Sequence, residues 1–197
     1  MSSGIFALFA LYLLFGLFLT GIFTVPLIIL IYNRFVALRT SIEAAWSDIE
    51  VLLRKRIDLL GSLAETVKGY AGHEKALFSQ VTSLRAALRQ GAETVPENTG
   101  EREMRGLFHT LFAVAENYPQ LKADRSFMDL QNAISETEDR IEVARRDYNQ
   151  SVRMYNIRRQ AFPSNLVAKL FHFEIAVFFE IEKGDAKHSY SLELNAN

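Results

Sequence analysis

The sequence predicts an all-α fold: a single N-terminal transmembrane helix followed by an antiparallel four-helix bundle with long first and fourth helices. Three observations predict it. The run from Gly4 to Asn33 contains no charged side chain. Apolar residues recur at spacings of three and four over residues 35–69 and again over 125–161, the period of a helix with one buried face. Between these runs lie turn-forming stretches and two shorter amphipathic segments. The expected organisation is an anchor over 1–33, a bundle over 34–171, and a Phe-rich segment with a disordered tail over 172–197.

The first run is GIFALFALYLLFGLFLTGIFTVPLIILIYN. About 30 helical residues reach roughly 45 Å, against a hydrocarbon core of roughly 30 Å. A cleaved signal peptide has a basic start, a shorter apolar core and a small-residue cleavage site. Met-Ser-Ser-Gly carries no Lys or Arg, and no Ala-x-Ala site follows, so the run reads as an uncleaved anchor. Arg34 and Arg39 flank its C-terminal end and nothing basic flanks its start. That bias places the rest of the chain in the cytoplasm. Pro26 removes a backbone hydrogen bond near Ile22 and predicts a bend there. Gly16, Thr20 and Thr24 form a small-residue stripe, a candidate face for helix association in the membrane.

The first bundle helix takes its stripe from Phe35, Leu38, Ile42, Ala45, Ile49, Leu52, Leu59 and Leu63, with Trp46, Leu60 and Val67 on the same side. Arg56 interrupts this stripe. Its aliphatic stem can lie along the core while the guanidinium reaches water or a carboxylate; the sharper reading is an anion site. Gly69-Tyr70-Ala71-Gly72 marks the turn. A second helix is expected over His73–Gln90, and Gly91–Gly100 is a polar loop. A third helix is expected over Glu101–Asn117, closed by Pro119. Asp124 is a natural cap for the fourth helix, about Arg125–Ala161, which Pro163 stops. Its stripe includes Phe127, Leu130, Ile134, Ile141, Tyr148, Val152 and Tyr155.

After Pro163 the pattern changes. Residues 166–171 suit one helical turn and 173–181 an extended segment. The four Phe at 171, 173, 178 and 179 either cover the bundle end or dip into the membrane interface; packing is the preferred reading. The residues from Gly184 read as disordered.

Composition bounds the function. The chain has 197 residues and a formal charge of −1, which argues against nucleic acid as the main partner. It has no Cys, so it holds no disulfide and no thiolate metal site. His73-Glu74 begins like a zinc-protease motif, but position 77 is Leu where a second His is needed. A dimetal bundle needs Glu-x-x-His pairs, and none occurs. No phosphate loop or nucleophile elbow is present. The chain reads as non-catalytic, with no cofactor and no metal.

Several stretches resemble the LemA family. They are Tyr32-Asn33-Arg34-Phe35-Val36-Ala37-Leu38-Arg39, Glu43-Ala44-Ala45-Trp46-Ser47-Asp48-Ile49, and Val67-Lys68-Gly69-Tyr70-Ala71-Gly72-His73-Glu74. Tyr118-Pro119-Gln120-Leu121-Lys122-Ala123, Ala144-Arg145-Arg146-Asp147-Tyr148-Asn149, and Tyr155-Asn156 leading to Phe162-Pro163-Ser164-Asn165 agree as well. The resemblance implies a bacterial inner-membrane protein, or one of a membrane derived from it, with one anchor and a cytoplasmic helical bundle. It implies no established enzymatic activity. Family members are often encoded beside membrane metalloproteases, and one branch takes part in magnetosome membrane formation. Trp46, Arg56, Tyr70, His73, Tyr148, Tyr155, Asn156, Phe162, Pro163 and Asn165 become candidate packing or interaction residues. The aromatic members need hydrogen-bond partners, which the motif Asn residues are expected to supply.

The chain departs from the family at two places. Gly61 and Ser62 stand where the family usually has Pro-Asn; near the end, His172 stands where it usually has Gly, and Glu174 to Phe178 lacks the family's usual Pro. The expected function is a non-catalytic membrane-anchored scaffold or accessory protein whose partners are the lipid bilayer and membrane proteins or a second copy. The alternative is a regulatory partner of a membrane metalloprotease.

Overall fold

The computed structural model describes residues 2–91 and 98–179. Every regular element among them is a helix: α1 (Ser2–Lys68), α2 (Lys75–Gly91), α3 (Asn98–Glu116), α4 (Pro119–Lys122), α5 (Arg125–Gln160) and α6 (Ser164–Leu170). The centre of the expected polar loop and the tail expected from Gly184 onward lie outside the described residues.

The apolar run and the first amphipathic run form one helix of 67 residues. Pro26 lies inside it, and the helix continues through the proline. The missing amide there costs one hydrogen bond, and helical residues on both sides hold the geometry. In this helix an 18-residue window reaches a mean hydropathy of 2.5 with only 6% of it buried. A core helix of that hydropathy would be covered by its own chain. This one is long and apolar enough to cross a membrane, and its apolar surface is bare.

One correction concerns Pro119. It does not merely close the third helix: α3 ends at Glu116, and Pro119 opens the four-residue helix α4. Proline tolerates a first helical position because the amide it lacks would be unpaired there.

The described chain divides into two compact units. One comprises residues 2–48 and 144–178; the other comprises 49–91, 98–143 and 179. The second unit has a conventional apolar core. Leu60, Leu63 and Val67 of α1, Leu77 and Val81 of α2, Phe108 and Leu111 of α3, and Phe127 and Ile134 of α5 all share it. Leu121 of α4 is fully buried in the same core. Asp124 caps α5: its Oδ1 accepts from the amides of Ser126 at 2.8 Å and Phe127 at 3.2 Å. The helix is unbroken at Gly61. A Cβ at that position would collide with the Arg85 guanidinium, which lies over the bare backbone.

The first unit has a smaller core of Ile31, Phe35, Leu38, Tyr155, Val167 and Ala168. Phe173 and Ala176, in the non-helical stretch after α6, pack against it.

Candidate functional site

Tyr148, Val152, Tyr155, Asn156 and Arg159 share one face of α5, at helical spacings of three, four and seven. Val152 is fully buried. The polar members hold residues 173–177, whose backbone groups have no ladder of their own and need partners. The Arg159 Nε donates to the Phe173 carbonyl at 2.8 Å. The Tyr155 hydroxyl donates to the Glu174 carbonyl at 2.9 Å. Asn156 closes a two-bond ring with Ala176: its Nδ2 donates to the carbonyl at 2.8 Å, and its Oδ1 accepts from the amide at 3.0 Å. The Tyr148 hydroxyl donates to the Val177 carbonyl at 3.1 Å. An α5 helix has already spent its backbone groups internally, so only side chains can hold a non-helical neighbour in this way.

Aromatic rings fix the same segment. Phe173 stacks on Phe35 with centroids 4.7 Å apart and planes at 21°. The Tyr155 ring meets Phe35 edge-on at 5.9 Å, and Trp46 meets Tyr148 edge-on at 5.5 Å. Tyr32 lies 4.9 Å from Phe171 and 5.5 Å from Phe173. Such pairs add specific geometry to the area they bury. Burial pushes the Tyr148 and Tyr155 hydroxyls above their usual range. For Tyr155 the charges of Arg159 and Arg39 offset part of the rise, and Glu174 adds to it.

For Tyr148 and Tyr155 the expectation of motif Asn partners is corrected. Tyr148 and Tyr155 find backbone carbonyls, and Asn156 serves the segment itself. Sequence reasoning missed Arg159 and Ala176. The available signal was the face of α5: polar groups on an apolar stripe that no facing helix needs.

His172 has φ of 54°, the left-handed region that suits glycine and strains other residues. His172 also lines a pocket of about 300 Å³ with Arg159, Asn165, Lys169, Phe173 and Glu174. The Asn165 Oδ1 is buried without a hydrogen-bond partner among the described residues. Pro163 follows Phe162 through a cis peptide bond, and Phe162 itself is 79% exposed.

The remaining candidates lie apart from this site. Arg56 is 5% exposed in the second unit. Its Nη2 meets Glu138 Oε1 at 2.6 Å, and its guanidinium carbon sits 5.7 Å from the centre of the Phe108 ring. A buried cation of this kind is held by its carboxylate and its aromatic neighbour. The Tyr70 hydroxyl donates to Asp124 Oδ2 at 3.3 Å. The Asp124 carboxyl is held below its usual value, chiefly by the Phe127 amide. His73 is exposed in the turn between α1 and α2. In the apolar run the Thr20 hydroxyl donates back to the Gly16 carbonyl at 2.8 Å and the Thr24 hydroxyl to the Thr20 carbonyl at 3.0 Å. Both hydroxyls are thereby satisfied without water. Among the described residues no cluster of three or more His, Cys, Asp or Glu could hold a metal ion.

These features define a class: an all-helical chain whose longest helix joins a bare membrane-length apolar stretch to packed helical units. The family comparison narrows it. The model of the LemA family matches residues 45–191, and the chain belongs to that family. Magnetosome protein MamQ 2 of Paramagnetospirillum magneticum is 26% identical over 175 residues, covering 76% of this chain and 64% of that relative. Magnetosome protein MamQ of Magnetospirillum gryphiswaldense is 23% identical, covering 78% of this chain and 66% of its own length. Protein LemA of Metamycoplasma hominis is 29% identical, covering 80% of this chain and 74% of the relative. The chain thus spans slightly less than two thirds of the magnetosome relatives it matches.

Proposed function

We propose that this protein is a non-catalytic scaffold or accessory protein, anchored in a membrane by α1 and acting through the surfaces of its helical units. The observation that carries the reading is α1 itself. One unbroken helix continues from the bare apolar stretch into both packed units, so an anchor and a recognition surface are built on the same rod. Membership of the LemA family and likeness to proteins named for magnetosomes support a role at membranes. Arg34 and Arg39 support a cytoplasmic location for the helical units, at the inner membrane or one derived from it. For residues 34–171 we propose an antiparallel four-helix bundle. It is supported by the core that α1, α2, α3 and α5 share. No observation favours a protease partner.

The reading is tested on isolated membranes. The full chain is expected to stay with the membrane through high-salt and alkaline washes, and a chain lacking residues 4–33 to be released. Chemical cross-linking in the membrane is expected to trap the full chain in species larger than a monomer. Release of the full chain by alkali, or only monomers after cross-linking, would contradict it.

A further inference from the structure

The charge-free run of α1 ends at Asn33, and α6 lies beside that end. Val167 and Ala168 of α6 share the small core with Ile31 and Phe35. The Phe171 ring, one residue past α6, lies 4.9 Å from Tyr32. This places α6 within about a turn of the end of the run, whatever the course of the rest of the chain.

α6 has two apolar faces. Ser164, Val167 and Ala168 are buried inward. Leu166 and Leu170, one turn apart on the other side, are 57% and 64% exposed. Phe162, before the helix, is bare, and Phe171, after it, is 45% exposed. A short helix facing water would carry polar residues there. At its Phe171 end the ridge meets the ring of Tyr32, a residue type concentrated at membrane interfaces. Lys169, between the two leucines in sequence, is exposed, as is Arg34 on α1. Long cationic side chains of this kind reach headgroup phosphates while their stems stay in apolar surroundings. A helix of seven residues would not hold such a position alone. Here the bonds from Tyr155, Asn156 and Arg159 to the following segment fix it to α5.

We infer that Phe162, Leu166, Leu170 and Phe171 form an interfacial foot that seats in the lipid bilayer α1 enters, at the boundary between headgroups and acyl chains. The inference rests on the anchored reading. The foot gives the protein a second, shallow lipid contact beside its span, so the unit of residues 2–48 and 144–178 is held to the membrane at two points.

The chain has no Cys, so single-cysteine variants can be labelled at one site. The full chain is reconstituted into vesicles of phosphatidylethanolamine and phosphatidylglycerol. An environment-sensitive fluorophore is placed at Leu166→Cys, Leu170→Cys or Phe162→Cys, with Phe15→Cys in the span and Ser79→Cys on the exposed side of α2 as references. Quenching by lipids carrying a nitroxide near the headgroup is expected to be several-fold stronger at 162, 166 and 170 than at Ser79. Deep nitroxides are expected to quench the label at Phe15. If the foot labels instead respond to aqueous iodide as Ser79 does, while Phe15 is quenched by deep lipid, the foot is refuted and the anchor stands. Foot labels shielded from both quenchers would mean that protein covers the ridge, which also refutes it. If deep lipid fails to quench Phe15, the anchored reading falls and the foot falls with it.

Discussion

The two units of this chain are built by different chemistry. The unit of residues 49–143 is held by aliphatic and aromatic side chains from successive helices meeting in one core, with the buried Arg56 paired to the exposed carboxylate of Glu138. The unit of residues 2–48 and 144–178 has a core of six residues. Much of its definition comes from polar side chains of α5 bonding the backbone of residues 173–177. The difference teaches how a helix can hold a non-helical neighbour. Apolar packing alone leaves the neighbour's carbonyls and amides unpaired, and each unpaired buried group costs about 1–3 kcal/mol. Side-chain donors on one helical face remove that cost.

The largest expected effect separates the two modes of construction. Leu111 is fully buried in the conventional core, and Leu111→Ala is expected to destabilise by about 2–5 kcal/mol. Denaturant unfolding of the full chain in detergent measures it. Asn156→Ala removes two bonds at once and is expected to cost about 1–3 kcal/mol. Its diagnostic is local: hydrogen exchange at the Ala176 amide should accelerate, and Leu111→Ala should accelerate exchange first in residues 49–143. If Asn156→Ala leaves the Ala176 amide as protected as before, the grip is not made by that side chain.

A gain is expected at His172. Its left-handed backbone is strained for any residue with a Cβ, so His172→Gly should stabilise by roughly 1 kcal/mol. A loss of stability would mean that the imidazole makes a contact worth more than the strain.

The smallest effects lie at the two ends of the pH scale, one for each unit. Asp124 is lowered in the folded chain, chiefly by the Phe127 amide. Its contribution is full above the ordinary carboxylate value of 3.8 and is lost as pH falls through the lower folded value. Tyr148 and Tyr155 are raised by burial. Their contribution is full below the ordinary tyrosine value of 10.0 and is lost as pH rises through the higher folded value. Exchange protection should therefore fail first around α5's N-terminus in acid and around residues 173–177 in alkali. Tyr148→Phe with Tyr155→Phe should abolish the alkaline response and leave the acid one intact.

The comparison also explains what could be read from the sequence. The helices of the conventional unit were legible because their apolar residues recur at three and four, and because Asp124 and Gly69 mark a start and a turn. The continuity of α1 was not. Pro26 and the change from all-apolar to amphipathic text look like a boundary, yet a helix crosses both. The short helix after Pro119 is legible only if that proline is read as a start as well as a stop. In the other unit, the residue types of the grip were visible but their partners were not. Tyr148, Tyr155 and Asn156 bond to backbone atoms, and backbone atoms leave no trace in residue identity. Family membership was legible from the motifs. The strain at His172 becomes a structural fact only when its φ is known.

The most direct test of the scaffold reading is affinity purification of the full-length protein in mild detergent, with size analysis and mass spectrometry of what comes with it. The account predicts a homo-oligomer or a stoichiometric membrane-protein complex that turns over no substrate. A clean monomer with no companion would contradict a scaffold that works through stable contacts.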